Sequence, residues 1–198
     1  MNIILGSDFM KLIVGLGNPG KEYNNTRHNV GYMFIDYYLN KKGINVKWTN
    51  KFKGKFINTT IGMEKVLFLK PETYMNLSGE SIKKIMDYYS INIEDLLIIS
   101  DDLDLNIGNF KLKDHGSSAG HNGLKNIELN LKSNNYKRLK IGISKHKDID
   151  VKNYVLGHFS KEENDIINDL FEHLLVVLDD YFILSYSDLM SKYNRKNR

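Results

Sequence analysis

Apolar residues along the chain follow two rhythms. Leu12 to Leu16 is an apolar run that closes on Gly15-Leu16-Gly17-Asn18-Pro19-Gly20, the pattern of a buried strand ending in a turn. Polar residues follow to Asn29. Val30, Met33, Phe34 and Tyr37 then recur at helical spacing, and Gly43 is placed to end that helix. Phe52 to Ile57 and Val66 to Leu69 read as paired strands with Gly62 in the turn, and Pro71 stops the second. Ser78 is positioned to cap a helix that buries Ile82, Ile85, Met86 and Tyr89. Leu96 to Ile99 has the signature of a central strand covered on both faces, ending at Asp101. A loop rich in Gly and Ser, Gly116 to Gly123, precedes a short helix carrying Leu124, Ile127 and Leu131. Leu139, Ile141 and Ile143 alternate as in a strand, and Ser144 to Asp150 reads as a polar, mobile loop. Ser160 and Glu163 match a capping box. The long helix behind it is predicted to bury Ile166, Ile167, Leu170, Leu174, Val177, Leu178 and Tyr181. Strands alternating with helices predict an α/β fold: a single domain, three-layer α/β/α, with a twisted sheet that the hairpin makes mixed.

Composition narrows the class. At 198 residues, 41% hydrophobic and 26% charged, the chain suffices for a core without metals or disulfides. It shows no repeat and no Pro/Gly/Ser linker, so residues 10–198 read as one domain and residues 1–9 as an N-terminal extension. Cysteine is absent, which excludes a disulfide scaffold, a thiolate zinc site, an iron–sulfur cluster and a cysteine nucleophile. No apolar run approaches the roughly 18 residues of a membrane span, and the first nine residues lack a signal-peptide pattern. The expectation is a cytoplasmic protein with no membrane partner. The net charge of +4 is unevenly spread. No acid falls between Asp36 and Glu64, where Lys41, Lys42, Lys47, Lys51, Lys53 and Lys55 lie. Lys192, Arg195, Lys196 and Arg198 crowd the C-terminus, while Glu162 to Asp180 is acidic. One positive face would suit a polyanion, and charge alone does not separate that from ordinary solvated faces.

The candidate chemistry lies where strands end. Gly15-x-Gly17-x-x-Gly20 matches a dinucleotide fingerprint literally. Its context does not: polar Lys21 to Asn25 follow in place of a helix, and Asp36 sits inside a helix rather than at a strand end. A tight turn exposing Asn18 fits better. The six histidines form no HxH or HExxH pair, and no metal site is expected. His28 stands in a polar loop just before a helix, where an imidazole titrating near neutrality can serve as a general base or simply cap the helix. Asp101-Asp102-Leu103-Asp104 follows the buried strand. If that strand and the first are parallel neighbours, Asp101 and the His28 loop share one rim, and the carboxylate can orient the imidazole. A magnesium site and a solvated turn remain alternatives there. Asn18, Asn76 and Asn122 each sit in a turn or helix entry; taken singly they are turn residues, and together they offer uncharged donors and acceptors for an ester or amide.

Taken in order, these segments resemble a known family. Gly15-Leu16-Gly17-Asn18-Pro19-Gly20, Tyr23, Thr26-Arg27-His28-Asn29-Val30-Gly31, Lys70-Pro71-Glu72-Thr73-Tyr74-Met75-Asn76-Leu77-Ser78-Gly79, Asp101-Asp102-Leu103-Asp104 and Gly120-His121-Asn122-Gly123-Leu124-Lys125 are similar to the bacterial-type peptidyl-tRNA hydrolases, from about Met10 to the long C-terminal helix. The resemblance implies an esterase that frees tRNA from a peptide at its 3′ end, working as a monomer without cofactor or metal. It implies His28 as general base, Asp101 as its orienter and Asn18 as the group that reads the peptide side. Tyr23, Tyr74, Asn76 and Asn122 would line the site, and Met75 and His121 would shape it. Lys113 would hold the tRNA 5′-phosphate. Lys140 stands where the family commonly has an arginine for that task, a looser contact because an ammonium lacks the bidentate fork. Arg138, two residues away, is expected to share the role. A non-catalytic RNA-binding module on the same scaffold is the competing reading, and the intact set of Asn18, His28 and Asp101 argues against it.

Overall fold

The apolar runs Leu12–Val14, Val66–Leu69 and Leu96–Ile99 lie at the centre of the sheet. In this computed structural model, which describes residues 10–146 and 148–194, the strands are β1 (Met10–Gly15), β2 (Thr49–Lys51), β3 (Gly54–Ile61), β4 (Glu64–Pro71), β5 (Leu96–Asp102), β6 (Phe110–Lys113) and β7 (Lys137–Gly142). The extension read over residues 1–9 and the basic Arg195, Lys196 and Arg198 lie outside the described residues. The strands form one sheet in the order β2-β3-β4-β1-β5-β7-β6. β4, β1, β5 and β7 run parallel, while β2, β3 and β6 join antiparallel at the two edges. The sheet is therefore mixed, as the hairpin predicts. Every residue of β5 is buried, as a strand covered on both faces must be.

The helices are α1 (Val30–Lys41), α2 (Ser78–Tyr89), α3 (Asn122–Leu131), α4 (Val151–Val155), α5 (Lys161–Tyr181) and α6 (Tyr186–Tyr193). Alternation along β1 and β5 sends their side chains into two separate cores. Ile13, Leu97 and Ile99 join Phe34 and Tyr38 of α1 and Phe171 and Leu174 of α5. Leu12, Val14 and Ile98 join Ile82 and Ile85 of α2 and Leu124 and Ile127 of α3. Each such apolar side chain contributes about 1.5–3 kcal/mol on burial. The three-layer arrangement follows from these two cores.

Local departures have local causes. Ser78 does not cap α2: it is the first helical residue, and its hydroxyl donates to the Met75 carbonyl. Ile166 faces solvent, and Phe171 takes the buried place on α5. The capping box of Ser160 and Glu163 forms in both directions. Pattern reading does not foresee β2, β6, α4 or α6, each eight residues or fewer.

Candidate active site

Parallel pairing of β1 with β5 sets Gly15 beside Ile99, so the segments that leave both strands share one rim. The chain after β1 turns through Asn18, forms a short 3-10 turn at Arg27–Asn29 and enters α1. Close approach anchors that turn, because a Cβ on Gly15 would overlap the Gly31 carbonyl and one on Gly31 would overlap the Ile99 carbonyl. Only glycine fits at either position. Asn29 then clasps Asn18 from both sides: its Oδ1 accepts from the Asn18 N–H at 2.9 Å and its Nδ2 donates to the Asn18 carbonyl at 3.0 Å.

These constraints bring His28 to Asp101. The His28 Nδ1 lies 2.9 Å from the Asp101 Oδ1, and the His121 Nε2 lies 3.0 Å from the same oxygen. His121 caps α3 in an unusual way, since its Nδ1 accepts from the N–H groups of Gly123 and Leu124 at 3.1 and 3.3 Å. That fixes its tautomer: Nδ1 is an acceptor, so the proton sits on Nε2 and is donated to Asp101. Asp101 accepts likewise from the Nδ1–H of His28, which leaves the His28 Nε2 as a lone pair on the cleft. Burial would raise the Asp101 pKa, but the two imidazoles outweigh it and hold the carboxyl well below the usual range. Burial would lower the His28 pKa, and Asp101, by charge and hydrogen bond, raises it above the ordinary 6.5.

The cleft over this triad has a volume of about 670 Å³, within the range of small-ligand sites. Asn18, Tyr74, Met75, Asn76, His121, Asn122 and Lys140 all line it. The Oδ1 of Asn18 accepts the Met75 N–H at 2.7 Å, so its Nδ2 is the half of the amide left to donate. Met75 is buried, and a Cβ on Gly123 would strike its sulfur. Tyr23, expected to line the site, is not among the residues that line this cleft; its ring lies edge-on to exposed Tyr74 at 6.4 Å. The α4 segment, through Val151, Val155 and Leu156, closes the remaining side. Nothing in the sequence pattern marks that wall.

The expected phosphate cations separate into distinct environments. Antiparallel register sets Lys113 opposite Arg138 and Lys111 opposite Lys140, on the α3 face. Lys113 is half-buried and outside the cleft. Lys140 is buried in an ion pair with Asp102. The expectation for Arg138 is overturned: it is 1% exposed. Its guanidinium donates to the carbonyls of Gly116, Ser117 and Asn134 and pairs with Glu128, so it braces the glycine-rich loop from beneath.

The acidic cluster does not converge. Asp101 serves two histidines, while Asp102 takes Lys140 and the Asp104 N–H. His28, Asp101 and His121 do bring three potential metal-ligand atoms within 4.8 Å of one another. A metal on the His121 Nε2 would need the ring proton on Nδ1, where it would oppose two backbone N–H groups. The donor set fits a hydrogen-bonded triad better than a cation.

The chain matches known proteins along nearly all of its length. The family model described as peptidyl-tRNA hydrolase matches residues 12–198. A peptidyl-tRNA hydrolase of Clostridium novyi is 43% identical over 185 residues, covering 93% of this chain and 98% of that protein. One from Bacillus cytotoxicus is 45% identical over 186 residues, covering 93% and 100%. A crystallised variant of the Acinetobacter baumannii peptidyl-tRNA hydrolase superposes with a TM-score of 0.88 at 37% identity, covering 96% of this chain and 97% of that one.

Proposed function

The chain belongs to the peptidyl-tRNA hydrolase family, whose members cleave peptidyl-tRNA, and from that premise we propose that His28 is its general base and Asp101 the group that orients it. The His28 Nε2 removes a proton from water as the oxygen attacks the ester carbonyl. Asp101, already ionised, stabilises the imidazolium that forms. The tetrahedral intermediate then expels the ribose oxygen, which takes the proton back from His28, leaving a tRNA hydroxyl and a peptide carboxylic acid that loses its proton to solvent as the carboxylate. Asn18 offers its Nδ2 to the peptide side, and Asn76 and Asn122 add uncharged donors around the ester. One such donor to a developing oxyanion is worth roughly 3–4 kcal/mol. An ester needs no more than this from its enzyme, and the proposed scheme draws on neither metal nor cofactor.

The rest of the tRNA reaches beyond the cleft. Lys113 lies three residues down the ladder and two strands across from Asp101, about 14 Å by strand geometry. That offset suits a 5′-phosphate separated from the scissile ester by the unpaired 3′ extension. Lys140 joins this contact only when its pair with Asp102 opens. The monomer is what the family resemblance implies, and a substrate drawn from translation favours the cytoplasm.

The observation that carries the reading is the Asp101 carboxylate shared between His28 and His121, which leaves one basic nitrogen on a cleft lined by amides. Incubation with N-acetylated aminoacyl-tRNA beside the unblocked form tests it. Release of tRNA from the blocked substrate, lost in His28→Ala, is the expected result. Near-normal turnover by His28→Ala would remove the histidine from the mechanism.

A further inference from the structure

The turn that carries His28 sends successive side chains and backbone groups to different walls of the cleft. His28 meets Asp101 and Asn29 meets Asn18, while Arg27 takes no part in the scheme above. The Arg27 side chain is only 13% exposed. Its guanidinium carbon lies 4.3 Å from the centre of the Tyr154 ring, and its Nη2 donates to Glu163 Oε2 at 2.7 Å. Its backbone N–H donates to the Gly157 carbonyl at 3.0 Å, and Thr26 bridges to His158 beside it. The buried Nε has no partner, and the side chain is held by the Tyr154 ring, by the Glu163 carboxylate and by a long hydrogen bond from Nη1 to the Tyr154 carbonyl at 3.5 Å. The Glu163 oxygen that receives Arg27 also accepts the Ser160 N–H at 2.7 Å, joining the clip to the first turn of α5.

Tyr154 belongs to α4, the wall formed by Val151, Val155 and Leu156. A five-residue helix does not hold its place by its own hydrogen bonds. Tyr154 is pinned at its far end by its hydroxyl on the Ile143 carbonyl, at 2.7 Å, and across its ring by Arg27. A largely buried ion pair is a poor source of net stability, because desolvation offsets much of the attraction. This one ties the residue covalently next to the base to the first turn of α5, and the same guanidinium reaches the cleft wall through the Tyr154 ring.

We propose that Arg27 is a positioning residue that sets the α4 wall against His28 and so fixes the width of the cleft that receives the ester end of the substrate. The inference rests on the esterase reading, and its test separates the two. Steady-state kinetics on N-acetylated aminoacyl-tRNA are compared for the native chain, Arg27→Gln, Arg27→Lys and Glu163→Gln; the last keeps a capping-box residue while removing the charge. We expect KM to rise about tenfold in Arg27→Gln, with kcat within about threefold and the acidic limb of the kcat–pH profile unmoved. Arg27→Lys should not restore KM, since an ammonium cannot supply the planar stack. Unchanged KM in a folded variant overturns the proposal. So does a loss of kcat with a displaced limb, which would mean that Arg27 acts on His28 itself, or a smaller active fraction with native KM, which would mean a scaffold role only. Should Arg27→Gln fail to fold, Glu163→Gln carries the same KM test. An inactive native chain would defeat the esterase reading instead.

Discussion

Replacing Asp101 by Asn removes one charge and little else. His121 is locked with its proton on Nε2 by the two N–H groups at the start of α3, so it demands an acceptor from residue 101. The amide oxygen must face it, and the same oxygen is the one that His28 uses. The variant therefore keeps the His28 tautomer and loses only the carboxylate that meets the imidazolium. Two unit charges about 4 Å apart interact by about 4 kcal/mol at an effective dielectric near 20. That corresponds to roughly 10³-fold in rate. The pH dependence should move as well. In the native chain Asp101 lifts the His28 pKa above 6.5 against the effect of burial. Without the charge, burial dominates, and the limb on which activity rises with pH should fall below 6.5. Single-turnover hydrolysis of N-acetylated aminoacyl-tRNA across pH reads both effects. A variant with more than about a tenth of native activity, or with its limb unmoved, would refute the coupling of Asp101 to a cationic His28.

Asn18→Asp retains the acceptor for the Met75 N–H but loses the Nδ2 donor, and should lower kcat about 10²- to 10³-fold in a steady-state assay. Lys113→Ala should reduce the slope of log K against log salt by about 0.9, whereas Lys140→Ala, already neutralised by Asp102, should change it less; filter binding across salt compares them. Arg138→Met strips donors from three loop carbonyls and leaves Glu128 unpaired. Glu128 is partly exposed, so the cost should sit near the lower end for such pairs, about 3 kcal/mol from urea midpoints, and a loss under about 1 would contradict the bracing role. The folded His28 pKa is raised, so its contribution to stability is full below 6.5 and fades as pH climbs through the folded value; that of Asp101 is depressed, so its contribution is present above 3.8 and fades as pH falls through its folded value. The melting-temperature gap between the native chain and His28→Ala should thus be widest between pH 3.8 and 6.5, and a gap that widens above pH 8 would reverse the sign.

What could be read from the chain was what repeats. The apolar runs of β1 and β5 announce buried strands, but the sequence makes their parallel pairing only a condition, and it is that pairing that brings His28 to Asp101 on one rim. The groups that complete the site carry no period. His121 caps α3 through a ring nitrogen, outside the usual alphabet of Ser, Thr, Asp and Asn, so the family resemblance points to the residue but no capping pattern reveals what it does. α4 is too short for a hydrophobic pattern, yet it supplies a whole wall of the cleft. Arg138 fails as a phosphate ligand for a related reason. Alternation correctly puts it on the same face as Lys140, but only the folded loop reveals that Gly116 and Ser117 leave carbonyls pointing at that strand, and an Arg with five donors is the residue that can satisfy them. Residue type at a strand position thus gave the charge, and the unmet hydrogen bonds of a distant loop decided what the charge was for. The same logic separates the two lysines: Lys140 shares its strand face with Arg138 but meets Asp102 at the end of β5, whereas Lys113, on the edge strand, is half-buried and lies outside the cleft.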